Sequence, residues 1–193
     1  SDLAGAGGTL TLAGAVDGAT PGEGSVSIVN DTGDVILNQA VGGASPLGAV
    51  ADETDGVTAL QGSIATENDL DLGGATDVQA DTDLKLVSSS GTVSIDNLAV
   101  VDDANAGTVR HVAVAAGGKA VLSGTIVNND QDGAIDFSAT PLVELSQDVA
   151  MQNTGTGDID LATGNGTMVA GNATLTLDAD TGVVALDDAD VTT

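Results

Sequence analysis

The chain has no cysteine, tryptophan or tyrosine, one aromatic residue, Phe137, and only three basic residues, Lys85, Arg110 and Lys119. Each absence removes a class of protein. Without cysteine there is no disulfide framework and no thiol chemistry, a usage compatible with a bacterial or archaeal surface protein. Without aromatics, the large side chains that dominate ordinary cores and binding hot spots are missing, so the interior must be built from Val, Leu, Ile and Ala. Stacked small aliphatics suit thin, regular layers. With so few basic residues the chain cannot neutralise phosphates, which excludes nucleic acid and an anionic membrane as default partners. No run of 18 or more apolar residues occurs, so no helical segment spans a membrane. Proline is scarce, at three residues, while the 27 glycines follow no Gly-X-Y period, which excludes collagen.

What the chain has in excess is acid. Its 25 Asp and 4 Glu set a net charge of −26 over 193 residues. Aspartate carries a short carboxylate that caps turns and ligates hard cations, whereas Glu favours helices, so the preference for Asp points to turns. Self-repulsion of this size opposes a compact state unless cations screen it, which implies a saline, marine or calcium-containing extracellular setting. Disorder is argued against by the apolar content of 41% and the mean hydropathy of +0.22. The chain opens at Ser1 without Met or a charged leader, and is expected to be a mature product or a segment of a longer one.

A repeated element organises the sequence: a turn residue, then aliphatic, polar or small, aliphatic. It occurs at Leu10/Leu12, Val26/Ile28, Val35/Leu37, Leu70/Leu72, Leu84/Leu86 and Val93/Ile95, and again at Ile135/Phe137, Ile159/Leu161, Leu175/Leu177 and Val184/Leu186. Leu10 to Val35, Leu70 to Val93, Ile135 to Ile159 and Ile159 to Val184 span 25, 23, 24 and 25 residues. A period of that length matches one coil of a β-solenoid with two or three short strands per rung. The expected fold is therefore all-β, a β-solenoid of about eight rungs forming one repetitive domain over residues 1–193. Gly24, Gly33, Gly91, Gly133, Gly157 and Gly182 stand just before strands, where a corner is expected to need positive φ.

An alternative architecture stays open. The nine-residue step from Leu175 to Val184, with its Asp-Ala-Asp-Thr-Gly turn, also fits a hairpin. That would make the chain an antiparallel β-sandwich or jelly-roll subunit whose strand Gly8–Leu12 inserts into a neighbour by donor-strand exchange. Two regions lack clean alternation. Residues 42–66 have aliphatics near helical spacing and are expected to form an excursion loop or short helix, and residues 98–116 combine a strand signal at Val109, Val112 and Val114 with a turn at Asn105-Ala106-Gly107.

The units Gly-Asp-Ile-Asp-Leu (157–161), Gly-Asp-Val-Ile-Leu (33–37) and Gly-Thr-Val-Ser-Ile (91–95) resemble the rungs of filamentous-haemagglutinin-type and autotransporter adhesins. The resemblance implies a right-handed parallel β-helix secreted to the bacterial surface, and speaks to architecture more than to activity. The charge departs from that family, whose members are richer in Asn and Lys.

Candidate chemistry is confined to a few places. Asn128, Asp130 and Asp132, in Asn-Asn-Asp-Gln-Asp-Gly, fit the first half of a calcium loop, with oxygen ligands at alternate positions and a Gly for the bend. A complete EF-hand loop needs Glu at its twelfth position, where Ala139 stands. Asp178 with Asp180, and Asp187 with Asp188, are candidates for ligating Ca2+ between rungs. The competing assignment for all of them is solvated Asx turns with diffuse cation binding. Arg110 and His111 are the one basic pair that a polysaccharide lyase mechanism could use, and outward acids such as Asp158 and Asp160 are expected on any solenoid face, so no enzyme is expected. Outward hydroxyls in Thr9-Leu10-Thr11, Ser25-Val26-Ser27, Thr92-Val93-Ser94 and Thr174-Leu175-Thr176 suggest an ice-binding rank as one alternative, and a polysaccharide-binding module as another. Asn30, Asn165 and Asn172 are glycan acceptor candidates. The function expected is structural or adhesive: a segment of an extracellular surface fibre or layer that associates with itself head to tail or by strand exchange.

Overall fold

Strand-length runs with inward aliphatics and outward short polar residues cannot bury their apolar face alone, so they are stable only when stacked on neighbours. The computed structural model has that architecture, and describes residues 2–5, 7–74, 77–101, 109–161, 167–169, 172–186 and 191–192. It is all-β, a right-handed parallel β-helix of about seven turns, with no helix among the described residues.

Each coil contributes strands to three faces. The first face stacks β1 (Asp2–Gly5), β3 (Ser25–Asn30), β5 (Ala49–Thr54), β8 (Leu70–Leu72) and β11 (Thr92–Ile95). The second stacks β2 (Leu10–Leu12), β4 (Val35–Leu37), β6 (Val57–Leu60), β9 (Asp77–Ala80) and β12 (Leu98–Val100). The third stacks β7 (Ile64–Thr66), β10 (Leu84–Ser88), β13 (Val112–Ala116), β15 (Ile135–Asp136), β17 (Ile159–Asp160) and β20 (Val184–Ala185). Two long strands, β14 (Lys119–Asn128) and β16 (Leu142–Asn153), serve the first and second faces in turn, with a register shift in β14 between Leu122 and Gly124. On them rest β18 (Thr167–Val169), β19 (Leu175–Asp178) and, on β18, β21 (Val191–Thr192).

All registered pairs are parallel, which removes the hairpin alternative. β19 and β20 do not pair with each other: β19 lies on β16 and β20 on β17. The steps read from the sequence are true register steps. Leu10 faces Val35, Leu70 faces Val93, Ile135 faces Ile159, and Ile159 faces Val184. Other steps depart from that period, from 20 residues between Val78 and Leu98 to 28 between Leu84 and Val112, because the corners differ in length while the strands keep register.

The core is a set of aliphatic columns. On the first face Val26, Val50, Leu70, Val93, Ala120 and Val143 stack in register, and every one is buried. Phe137 is the largest buried side chain.

Residues 42–66 are corrected from an excursion loop or helix to an ordinary coil containing β5, β6 and β7. The helical look came from polar residues at inward positions. Asp52, Thr54, Thr58 and Thr66 are all fully buried where alternation would place aliphatics. In residues 98–116, β12 and β13 form as strands, Val109 is exposed outside them, and the turn at Asn105-Ala106-Gly107 lies outside the described residues.

Candidate functional site

The glycines before strands act mainly through close approach. Of the six singled out, only Gly24 has positive φ, at 78°. At Gly133, Gly157 and Gly182 a Cβ would overlap the carbonyl oxygen of the residue one coil below, that of Arg110, Gly133 and Gly157 in turn. A buried Asn reinforces this ladder. Asn153 Nδ2 donates to the Gly133 carbonyl at 2.5 Å, and Asn128 Nδ2 donates to the Arg110 carbonyl at 2.9 Å. Asn30 repeats the arrangement at another corner, donating to the Gly8 carbonyl at 2.8 Å and the Asp34 carbonyl at 3.0 Å. Each hook gives a donor to one corner carbonyl, that of Gly8, Arg110 or Gly133, while the Asp34 carbonyl also accepts the Leu10 N–H at 2.9 Å. Asn30 is fully buried and held by both its amide protons, which rules it out as a glycan acceptor in the folded chain, while Asn172 is exposed and Asn165 lies outside the described residues.

The acids form a second device. Asp34, Asp69, Asp83 and Asp158 each stand one residue before a strand, Asp148 lies at the corner within β16, and each of the five accepts the backbone N–H of the residue directly above it in the next coil. The five acceptors reach Val57, Thr92, His111, Thr174 and Val183 at 2.7–3.1 Å. Asn97 makes the same bond to Thr125 at 3.0 Å. The carboxylate must lie one methylene from the backbone to reach straight up the axis, a geometry suited to Asp and to Asn rather than to the longer Glu.

The calcium-loop candidates fall within this machinery. Asn128 points inward, and its Oδ1 accepts the Asp130 N–H at 3.0 Å. Asp130 Oδ1 accepts the Asp132 N–H at 3.2 Å, while its Oδ2 accepts the Arg110 N–H at 3.2 Å. Asp132 Oδ1 accepts from Thr156 Oγ1 at 2.7 Å, one coil above. The three residues are therefore brought together, but in successive Asx turns where Asn128 Oδ1, both Asp130 oxygens and Asp132 Oδ1 already have protein partners. Asp178 Oδ1 accepts the Asp180 N–H at 3.1 Å, and Asp180 holds φ of 47° at the tip of that turn. Asp180 and Asp132 line one shallow depression of about 350 Å³ with Gln131 and Thr156. Asp187 and Asp188 lie outside the described residues. No group of three or more His, Cys, Asp or Glu side chains is gathered in metal-binding geometry among the described residues.

Arg110 was visible in the sequence only as half of a basic pair, and its structural role was not. Its guanidinium is buried, lying 2.9 Å from Asp81 Oδ1 and 4.0 Å from Asp130 Oδ2. His111 Nδ1 accepts the Ala134 N–H at 3.0 Å, so this nitrogen is engaged in the corner above. The proposed hydroxyl rank divides between faces: Ser27 and Ser94 lie on β3 and β11 of the first, Thr11 and Thr176 on β2 and β19 of the second. Between Ser27 and Ser94 the first-face column carries Ala51 and Asp71.

The surface offers open depressions. One of about 780 Å³ between the first and second faces is lined by Glu144, Ser146, Gln147, Asp148 and Asn172, with no aromatic ring or basic residue among its lining residues. No helix among the described residues is long and apolar enough to cross a membrane. No family model matches the chain, and neither a curated protein nor a solved structure matches it significantly.

Proposed function

We propose that the chain is a structural or adhesive element of an extracellular fibre or surface layer, a rod of acidic coils that extends by stacking end on end. The observation that supports this most directly is at the last coil. Val184 and Leu186 continue the third-face columns of Ile159 and Leu161, yet they are 36% and 52% exposed, against at most 1% for the residues beneath them. An apolar column left open at its end, beside a strand edge, is completed by another coil of the same geometry. That coil is a second copy or further chain of the same repeat.

Two further features fit a load-bearing role. Asp158, one of the outward acids weighed for catalysis, clamps one coil to the next as Asp34 and Asp69 do, and the depressions are open and lack aromatic platforms. The resemblance of the Gly-Asp-Ile-Asp-Leu rungs to adhesin β-helices points the same way. Secretion, the adhesive target and diffuse cation screening of the acidic faces belong to this proposal.

Sedimentation velocity across a concentration series tests it. Species heavier than a monomer are expected to grow with concentration, and Leu186→Asp is expected to abolish them while leaving the β-sheet circular dichroism unchanged. A chain that stays monomeric at every concentration contradicts the proposal.

A further inference from the structure

The corner between the first and second faces, at the second and third coils, encloses oxygen atoms without partners. Asn30 Oδ1, Asp52 Oδ2 and Thr58 Oγ1 are buried and make no hydrogen bond. Asn30, Asp52, Thr54 and Thr58 are at most 1% exposed.

Register brings the four residues to one corner. Asn30 lies directly beside Thr54 in the coil above, and Thr54 Oγ1 donates to Asp52 Oδ1 at 2.6 Å. Asn30 Nδ2 donates to the Asp34 carbonyl at 3.0 Å, and Thr58 stacks on Val35, the residue after Asp34. The corner therefore holds an amide oxygen, a carboxylate and two hydroxyls, all on buried side chains. An aliphatic column would ordinarily run there, and Ile28 and Val35 occupy the corresponding positions one coil below Asp52 and Thr58.

A buried carboxylate oxygen without a partner is strongly unfavourable unless a positive charge meets it. The chain's own cations are engaged or placed elsewhere. Arg110 pairs with Asp81 and Asp130, Lys119 pairs with Glu144, and Lys85 is exposed on β10. We infer that this corner binds a monovalent hard cation of the sodium class, with Asp52 supplying the charge and Asn30, Thr54 and Thr58 the neutral oxygens. The donor set selects the class. Amide, hydroxyl and carboxylate oxygens suit hard cations, and a single enclosed carboxylate balances one positive charge, whereas a divalent ion would leave a net charge buried. The site is separate from the Asn128–Asp132 loop, where Asn128 Oδ1 and both Asp130 oxygens have protein partners.

The test is thermal melting of the full chain in sodium chloride and in choline chloride at equal, high ionic strength, with chelator in both to remove divalent ions. Sodium is expected to raise the melting temperature by about 5 °C over choline, the size of effect that saturating a single site produces in a chain of this length. Asp52→Asn is expected to erase the difference. Equal melting in the two salts, or a sodium effect that persists in Asp52→Asn, overturns the inference. Should Asp52→Asn fail to fold, Thr58→Val is expected to shrink the sodium effect, and wild-type crystals soaked in thallium(I) are expected to show an anomalous peak beside Asp52 Oδ2. A water or empty density there, or an undiminished sodium effect in Thr58→Val, overturns it equally.

Discussion

Asp69 and Thr92 occupy the same position in two consecutive coils, and the Asp69 carboxylate accepts the Thr92 N–H at 2.8 Å. The bond runs along the axis of the solenoid, so it resists the parting of two coils at a corner where no strand ladder does so. Repeated by Asp34, Asp83, Asp148 and Asp158, it gives the acid excess a structural purpose.

Asp69→Ala is expected to destabilise the fold by about 1 kcal/mol, the scale of one exposed side-chain-to-backbone cap. Asp69→Asn is expected to retain most of the stability and Asp69→Glu to recover little, since the extra methylene carries the carboxylate past the Thr92 N–H. Urea denaturation of the three variants checks the order.

Gly157→Ala is expected to cost about 3 kcal/mol or more, because the new methyl group overlaps the Gly133 carbonyl and backbone must shift. Gly8→Ala makes the matched control. A Cβ there meets nothing within 4 Å, so its melting temperature is expected to stay near that of the wild type.

Asn128→Ala is expected to cost about 2–4 kcal/mol, as it strips the Arg110 carbonyl of its donor inside the coil, while the Ala134 carbonyl keeps the Val112 N–H. Guanidinium denaturation measures the loss, and an effect below about 1 kcal/mol would contradict the hook.

With a net charge of −26, the wild type is expected to melt at a rising temperature as choline chloride is added from low ionic strength, through screening alone. Calorimetry checks this, and a flat or falling curve would contradict self-repulsion as a destabilising force.

Legibility in the sequence followed the aliphatics. All ten alternating pairs, from Leu10/Leu12 to Val184/Leu186, begin within strands, and four sequence intervals proved to be register steps. What was hidden was polar and inward. Asp52, Thr54 and Thr58 broke the alternation of β5 and β6, so an ordinary coil resembled a helix or loop. β14 and β16 were hidden for another reason, since each turns a corner without a break in the strand, at Ser123-Gly124 in β14, where Gly124 has φ of 70°, and at Ser146-Gln147-Asp148 in β16. The calcium-loop residues were found as a cluster, but spacing alone could not reveal that Asn128 points into the core and that Arg110 engages Asp130. Nor could spacing distinguish a glycine needed for positive φ from one needed for the approach of a carbonyl, as at Gly157.

The central claim is that these coils build a rod which extends by end-to-end stacking. Negative-stain electron microscopy of the full chain, with and without a divalent-ion chelator at constant sodium chloride, tests it most directly. The account predicts filaments of single-coil width under both conditions, and their loss in Leu186→Asp. Isolated short particles of the wild type at every concentration would contradict it.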